Sequence, residues 1–195
     1  MAKVFADPQS AAAEITGGFE GGYKPSGVLG DPNAAMWGIN QSTFDASRRA
    51  KGVVTQDVRL MTPEERNEIY AGYWTRYFCD HIAPHSGALA VCHFDCEFNG
   101  GGTVVLEETT GQVAGQRDAT LTEAEVEALI DELDSEAGED GVIAAYLQNR
   151  LDRLRDLTRR NPDGTVVKLW DAAGPTWTKR LNALAATLDI SWRVS

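Results

Sequence analysis

The chain of 195 residues contains only three cysteines, and its first residues hold no apolar run of the length that a signal peptide needs. A disulfide framework requires paired cysteines and an oxidising compartment. We therefore expect reduced thiols in a protein made in a cytoplasm without a signal peptide. If its target lies outside the membrane, some other factor must deliver the protein.

Histidines are equally few, and the three cysteines and three histidines offer little material for a metal site. One arrangement suggests such a site, namely Cys92, His93 and Cys96 with His81 upstream. Cys92 and Cys96 lie one helical turn apart in an apolar stretch, where cysteine serves as a small buried residue. Zinc sites usually show close ligand pairs at two places in the chain. We predict no metal site and no cofactor.

The sequence also lacks long apolar runs and lacks positive charge in its middle part. A membrane-spanning helix needs about 18 or more consecutive apolar residues, so we predict no membrane insertion. The formal net charge is −11. Residues 107–140 hold 12 acidic residues and one basic residue, Arg117, so this segment alone carries a charge equal to that of the whole chain. Nucleic acid is excluded as a partner for so acidic a protein.

Hydrophobic periodicity and capping signals predict a mainly helical protein with a short β or irregular insertion after the first helix. The first helix begins near Asp7 or Ser10 and ends at Gly21 and Gly22. Thr62-Pro63-Glu64-Glu65 is typical of a helix start. Further helices are predicted over 42–50, 85–98, 103–113, 120–130, 143–157 and 176–188, with a loop over 136–141 and a turn at 161–164.

Glu20 is the first candidate for chemistry because it lies at the end of the first predicted helix and precedes two glycines. Glycines let a ligand approach the backbone closely. Apolar neighbours favour the uncharged carboxyl group, which is the form that a proton donor needs. An exposed glutamate in front of a helix-ending glycine pair is the alternative explanation of this pattern.

A longer set of motifs resembles the glycoside hydrolase family 108 muramidases. The motifs are Glu20-Gly21-Gly22-Tyr23, Gly30-Asp31-Pro32, Trp37-Gly38-Ile39-Asn40 with Thr43-Phe44, the region from Leu60 to Trp74, His93-Phe94-Asp95 with Asn99-Gly100, and Trp177-Thr178-Lys179-Arg180-Leu181. They occur in the family's order over most of residues 5–185.

The resemblance implies a lysozyme-like fold and a hydrolase that cleaves the glycan strand of peptidoglycan. It implies a catalytic region over residues 1–92 and a helical C-terminal region over 93–195 that binds peptidoglycan, the two packed as one unit. The family's catalytic acid corresponds to Glu20. The implied setting is a phage endolysin or a virion-associated lysozyme, with phage tail or other virion proteins as further partners.

The resemblance and the residue chemistry together suggest roles for the remaining candidates. Asp31 is the best second carboxylate, although accepting backbone N–H bonds in an Asp-Pro turn explains it equally well. Aromatic rings stack on sugar faces and an amide can bond an N-acetyl group, so the candidate substrate contacts are Tyr23, Trp37 and Asn40. Asp95 is a supporting residue near the substrate, and Asn99 is a further contact or a loop tie.

Two alternatives to a muramidase stay open. A lytic transglycosylase needs only the acid and no attacking water. A non-catalytic wall-binding or virion structural protein would keep the fold without the chemistry. The family usually carries Thr before its aromatic-Gly-Ile motif, and the stretch 31–39 lacks it, which favours this second alternative.

Overall fold

The computed structural model describes residues 1–26, 33–111, 121–161 and 163–194. Within these ranges the chain forms nine α-helices and two small antiparallel sheets. The mainly helical fold predicted from the sequence is therefore confirmed. None of the helices in the described ranges combines the length and apolar character that crossing a bilayer requires.

The chain divides into two compact units, and each is described by itself. The first unit is Gln9–Arg76, and the second consists of Met1–Pro8 with Tyr77–Ser195. The expected boundary at residue 92 falls instead inside a helix of the second unit, Gly87–Phe98. Residues 77–92 belong with this unit because that helix packs against later helices of the same unit.

The first unit contains three helices and the smaller sheet. The elements are α1 (Pro8–Glu20), β1 (Ala35–Met36), β2 (Ile39–Asn40), α2 (Gln41–Ala50) and α3 (Pro63–Arg76), with a 3-10 turn at Val58–Leu60. The β insertion after the first helix is confirmed. The core of the first unit holds the side chains of Ala12, Ile39, Phe44, Val58, Tyr70 and Trp74.

Capping explains where the helices of the first unit begin. Thr62 and Glu65 form the expected capping box, with Oγ1 of Thr62 accepting from the Glu65 backbone N–H and Glu65 accepting from that of Thr62. The hydroxyl groups of Ser42 and Thr43 predict the cap of α2 at one of these two residues. This prediction is wrong, because Asn40 occupies the N-cap position. Its Oδ1 accepts the Thr43 backbone N–H, which lets the helix start at Gln41.

The second unit is built around one buried helix. Its elements are α4 (Cys79–Ile82), α5 (Gly87–Phe98), α6 (Gly102–Thr109), α7 (Glu123–Asp131), α8 (Gly138–Asp156), β3 (Thr158–Arg160), β4 (Val166–Lys168) and α9 (Trp170–Thr187). Residues 88–96 of α5 are all buried, and α4, α6 and α8 pack against this helix. All three cysteines are free and buried, as the interpretation of Cys92 and Cys96 as small core residues predicted.

Two sequence predictions in the second unit differ from the structure, and one element was not predicted. The predicted loop over 136–141 holds the first turn of α8, and α9 begins six residues before the predicted Thr176. The predicted turn is confirmed, since the Gly164 N–H donates to the Asn161 carbonyl oxygen at 2.9 Å. The antiparallel hairpin β3–β4 around it, in which Arg159 pairs with Val167, was not predicted. All six strand residues of this hairpin are exposed, so no alternation of apolar and polar residues marked them as strands.

His93 is a buried polar residue of α5. Its Nδ1 lies 2.7 Å from the Tyr146 hydroxyl and its Nε2 lies 3.0 Å from the Tyr77 carbonyl oxygen. A carbonyl oxygen can only accept, so Nε2 carries the proton and Nδ1 accepts from Tyr146. Burial lowers the pKa of His93 to about 4, because the charged ring loses its hydration.

We expect His93 to make the protein less stable as the pH falls from about 6.5 to about 4. In that window the unfolded chain takes up a proton and the folded chain does not, and the pKa difference costs roughly 3 kcal/mol over the whole window. Urea unfolding of wild type and His93→Gln between pH 4 and 7 measures this loss. The variant keeps all the carboxylates, so the two proteins differ only in the titration of His93. If the free energy of unfolding changed equally with pH in both, His93 would not be the cause of the loss.

Candidate active site

Glu20 is the last residue of α1, as predicted. Gly21 follows with a φ of 71°, and its N–H donates to the Gly17 carbonyl oxygen at 3.2 Å, which closes the helix. The Glu20 side chain is only 11% exposed, and the Lys24 Nζ lies 3.8 Å from its Oε2. The carboxyl group is therefore partly shielded from water and has a cation beside it.

The backbone around Lys24 ties the end of α1 to the sheet. The Lys24 N–H donates to the Ala35 carbonyl oxygen at 2.8 Å, and the Ala35 N–H donates back at 2.9 Å. Ala35 also pairs with Asn40 in β2. The chain after Glu20 thus runs alongside β1, which keeps the Lys24 side chain near the carboxylate.

Trp37 and Gly38 form the two-residue turn between β1 and β2. Both have positive φ values, 49° and 74°, and Met36 pairs with Ile39 across them. This is the type I′ geometry that matches the twist of a hairpin, and it suits glycine at the second position. A tryptophan in this conformation costs about 1 kcal/mol or more, so other contacts must hold it there.

Two residues of α3 provide those contacts. The Tyr70 hydroxyl donates to the Trp37 carbonyl oxygen at 2.7 Å. The Arg66 guanidinium lies 5.3 Å from the centre of the Trp37 ring and 5.9 Å from that of Tyr70, within the range of a cation–π interaction. A Cβ atom on Gly17 would lie 3.2 Å from the Arg66 guanidinium, so the missing side chain there gives it room. Arg66 links α1, the turn and α3.

Tyr23 lies on the surface of the same unit and is 41% exposed. The Arg59 guanidinium lies 5.4 Å from the centre of its ring. Asp57 accepts two hydrogen bonds from the Arg59 side chain, at 3.0 and 2.6 Å, and one from its backbone N–H at 2.9 Å. The side-chain bonds lower the pKa of Asp57 and raise that of Arg59. The ring therefore keeps an exposed face beside a fixed cation.

Asn40 has a structural role in addition to any contact with a substrate. Its Oδ1 accepts from the Thr43 N–H at 2.9 Å and from the Ser42 hydroxyl at 2.7 Å. The acceptor of the amide is thus engaged in capping α2. The amide nitrogen is the group that would remain for a sugar, and that contact stays a prediction.

The structure places the predicted site residues in two different units. Glu20, Tyr23, Trp37 and Asn40 all belong to the first unit, whereas Asp95 and Asn99 belong to the second. Asp31, the predicted second carboxylate, lies outside the described residues. Three further residues of the site were not predicted from the sequence, namely Lys24, Arg59 and Arg66. No local signal indicated the two arginines, because Arg59 meets the Tyr23 ring and Arg66 the Trp37 ring, each about 30 or more residues away in the chain.

Asp95 is fully buried in the second unit and holds three helices together. It accepts from Arg150 of α8 at 2.7 Å and from Arg180 of α9 at 2.6 Å. Burial by itself would raise the pKa of Asp95, but the two guanidinium groups outweigh it and the pKa is lowered. Asn99 ends α5, and its side-chain N–H donates to the Asp95 carbonyl oxygen at 2.8 Å. Both residues thus have roles in the architecture of this unit.

A small cavity of about 100 Å³ adjoins this cluster. Its lining is mostly apolar and includes Leu154, Trp177 and Leu181, with Arg153 and Arg180 among its polar residues. Trp177 and Arg180 come from the last of the motifs on which the resemblance rests.

Glycoside hydrolases use a carboxylic acid as proton donor to the leaving sugar, and Glu20 is a partly buried carboxyl group at a helix end. Residues 13–101 match the sequence model of the family Glycosyl hydrolase 108. The resemblance found in the motifs is thereby confirmed, and the match supports a glycoside hydrolase. The matched range includes every predicted site residue.

A solved structure, described as "Structure of Brucella abortus SagA", shares the fold. The TM-score is 0.64 and the sequences are 19% identical, with 92% of each chain covered. The agreement extends beyond the family match, since it includes most of the helices after residue 101. The mainly helical, lysozyme-like fold implied by the motifs agrees with this result. No curated protein matches the chain.

Two glycines near Glu20 provide a test of the helix end. Apart from the chain neighbours and the nearby helix backbone, no atom of the described residues lies within 4 Å of a Cβ atom built on Gly18 or on Gly21, so neither position is crowded by these residues. Gly21→Ala should destabilise the protein by about 1 kcal/mol because of its positive φ. Gly18→Ala, in the helix, should stabilise it by roughly 0.5–1 kcal/mol. Thermal unfolding of both variants would contradict this geometry if the two shifts had the same sign.

Proposed function

We propose that this protein is a peptidoglycan N-acetylmuramidase that cleaves the β-1,4 bond of the glycan strand with Glu20 as general acid. The family match supports a peptidoglycan hydrolase at the coarser level. The bond cleaved and the role of Glu20 are our inference from the site.

The observation that carries the proposal is the environment of the Glu20 carboxyl group. Its side chain is largely shielded, whereas the described residues leave the backbone beside it open: apart from the chain neighbours, none of their atoms lies within 4 Å of a Cβ atom built on Gly21 or Gly22. A polymer can therefore approach the helix end closely. A shielded carboxyl next to an open backbone is what proton transfer to a bound glycan requires.

In the proposed reaction Glu20 donates its proton to the oxygen of the leaving sugar while the other ring gains oxocarbenium character. The resulting carboxylate is negative, and the Lys24 ammonium at 3.8 Å stabilises it. Asp31 is our candidate for orienting the water or stabilising the sugar cation. Carboxyl groups about 5–5.5 Å apart would give retention, and about 6.5–9.5 Å would give inversion.

Tyr23 and Trp37 are the proposed sugar contacts. Each ring has a guanidinium group about 5 Å from its centre, Arg59 for Tyr23 and Arg66 for Trp37. These cations restrict ring movement, so less entropy is lost when a sugar stacks on the rings. The Asn40 amide nitrogen is the proposed donor to an N-acetyl oxygen.

We further propose that the protein acts on the cell wall as a phage endolysin or as part of a phage particle. The support is the resemblance to the phage-type muramidases. Proteomics of purified particles tests the choice, because a virion component copurifies with the particles and a free endolysin does not.

Replacement of the acid tests the proposal directly. Glu20→Gln should lower lytic activity on purified peptidoglycan by about 10²-fold or more, the usual contribution of a general acid. Glu14→Gln is the matched control, because Glu14 is exposed on the same helix and should leave activity unchanged. Thermal unfolding of each variant checks that it is folded.

The masses of the released muropeptides separate the chemical alternatives. A muramidase adds water, whereas a lytic transglycosylase leaves an anhydro sugar that is one water lighter. Full activity of Glu20→Gln would disprove the acid assignment. Binding of the wild type to cell walls without any product would instead favour a non-catalytic wall-binding protein.

A further inference from the structure

We propose that His81, Glu123 and Glu127 of the second unit form a binding site for one divalent transition-metal ion, for which Zn²⁺ fits best. His81 belongs to α4, and the two glutamates belong to α7. One ligand atom from each residue lies within 4.8 Å of the other two. The Nδ1 of His81 is already 3.6 Å from the Oε1 of Glu123.

The two helices present these groups to the same place. Residues four apart on a helix lie on one face, so Glu123 and Glu127 point in a common direction from α7. The short helix α4 packs against α7 and supplies the imidazole. Ligands that come from elements about 40 residues apart in the chain form a cluster that depends on the fold.

The imidazole of His81 is oriented by a neighbour that is not itself a ligand. The ring of Phe78 meets it edge to face, with centroids 5.4 Å apart and planes at 87°. Phe78 has a φ of 54°, which marks the sharp turn into α4. An aromatic contact of this kind limits rotation of the imidazole and so reduces the entropy that a metal ion would have to remove.

The charge around the cluster favours a dication. With a neutral imidazole the three side chains carry a charge of −2. Their surrounding segment, residues 107–140, contains only Arg117 as a basic residue. Among the described residues, no lysine or arginine forms an ion pair with Glu123 or Glu127. A bound dication would therefore neutralise two carboxylates that repel each other at an i, i+4 spacing.

The ligand types select the metal. Zn²⁺ binds imidazole nitrogen at about 2.0–2.1 Å and carboxylate oxygen at about 2.0–2.2 Å, which in a tetrahedral site places neighbouring ligand atoms roughly 3.4 Å apart. The 3.6 Å between His81 Nδ1 and Glu123 Oε1 is close to this value. The ligand atoms that lie up to 4.8 Å apart can approach each other by rotation of the exposed glutamate side chains. Mg²⁺ and Ca²⁺ prefer sites built from oxygen alone and take six to eight ligands.

The proposed ion would join α4 to α7 and so stabilise the second unit. Three protein ligands leave a fourth position for water in this exposed cluster. In the sequence His81 stands near the cysteines, and that arrangement predicted no metal site. The cysteines are buried in the core, whereas His81 meets the glutamates of a later helix.

Isothermal titration of the full chain with ZnCl₂, under reducing conditions, tests the site. We expect one ion to bind per chain. His81→Ala and Glu127→Gln should each weaken binding at least tenfold, since replacing a residue that only hydrogen-bonds to a metal ligand already costs about 10–100-fold in affinity. His85→Ala and Glu136→Gln, which remove an exposed histidine and an exposed acid outside the cluster, should bind as the wild type does. MgCl₂ should not compete.

Thermal unfolding supplies a second readout. Zn²⁺ at about 100 times its dissociation constant should raise the melting temperature of the wild type by roughly 5–10 °C, and this rise should vanish in His81→Ala. Absence of stoichiometric binding to the wild type would overturn the proposal. Equal affinity of wild type and His81→Ala, or an undiminished rise in that variant, would overturn it as well.

Discussion

The second unit depends on the buried carboxylate of Asp95. Burying a charge costs several kcal/mol unless partners replace its hydration. Here Arg150 of α8 and Arg180 of α9 provide that replacement, so the carboxylate of α5 is stable only when both helices are docked against it. One side chain thereby fixes the relative positions of three helices, and it does so with a directional interaction that apolar packing alone would not supply.

The first unit stores strain where the candidate chemistry lies. Trp37 adopts a left-handed conformation, and Tyr70 and Arg66 of α3 hold it there through a hydrogen bond and a guanidinium–ring contact. Strained backbone of this kind persists only when surrounding contacts determine it, and it is common at functional sites. The same arginine lies against Gly17, one turn before Glu20. Arg66 thus links the helix that ends at the acid with the half-buried ring of Trp37.

Local signals in the sequence predicted the elements whose ends are decided locally. Thr62 and Glu65 cap α3 and Gly21 ends α1, because caps involve neighbours within about four residues. The start of α7 was predicted at Thr120, close to its observed N-cap, Thr122. The start of α9 was missed because Pro175 lies inside the helix rather than at its beginning. The β3–β4 hairpin was missed because both of its faces are exposed, so burial imposed no alternating pattern.

The sequence by itself determined the helical class of the protein, the place of Glu20 at a helix end and the family resemblance of the motifs that lie within residues 13–101. Those features follow from short-range periodicity, glycine conformation and local spacing. Only the tertiary structure decided that Asp95 binds two arginines, that the Arg66 guanidinium lies over the Trp37 ring and that His81 meets Glu123. Such contacts join residues about 30 to 85 positions apart, and no local pattern records which distant side chains will meet once the helices have packed.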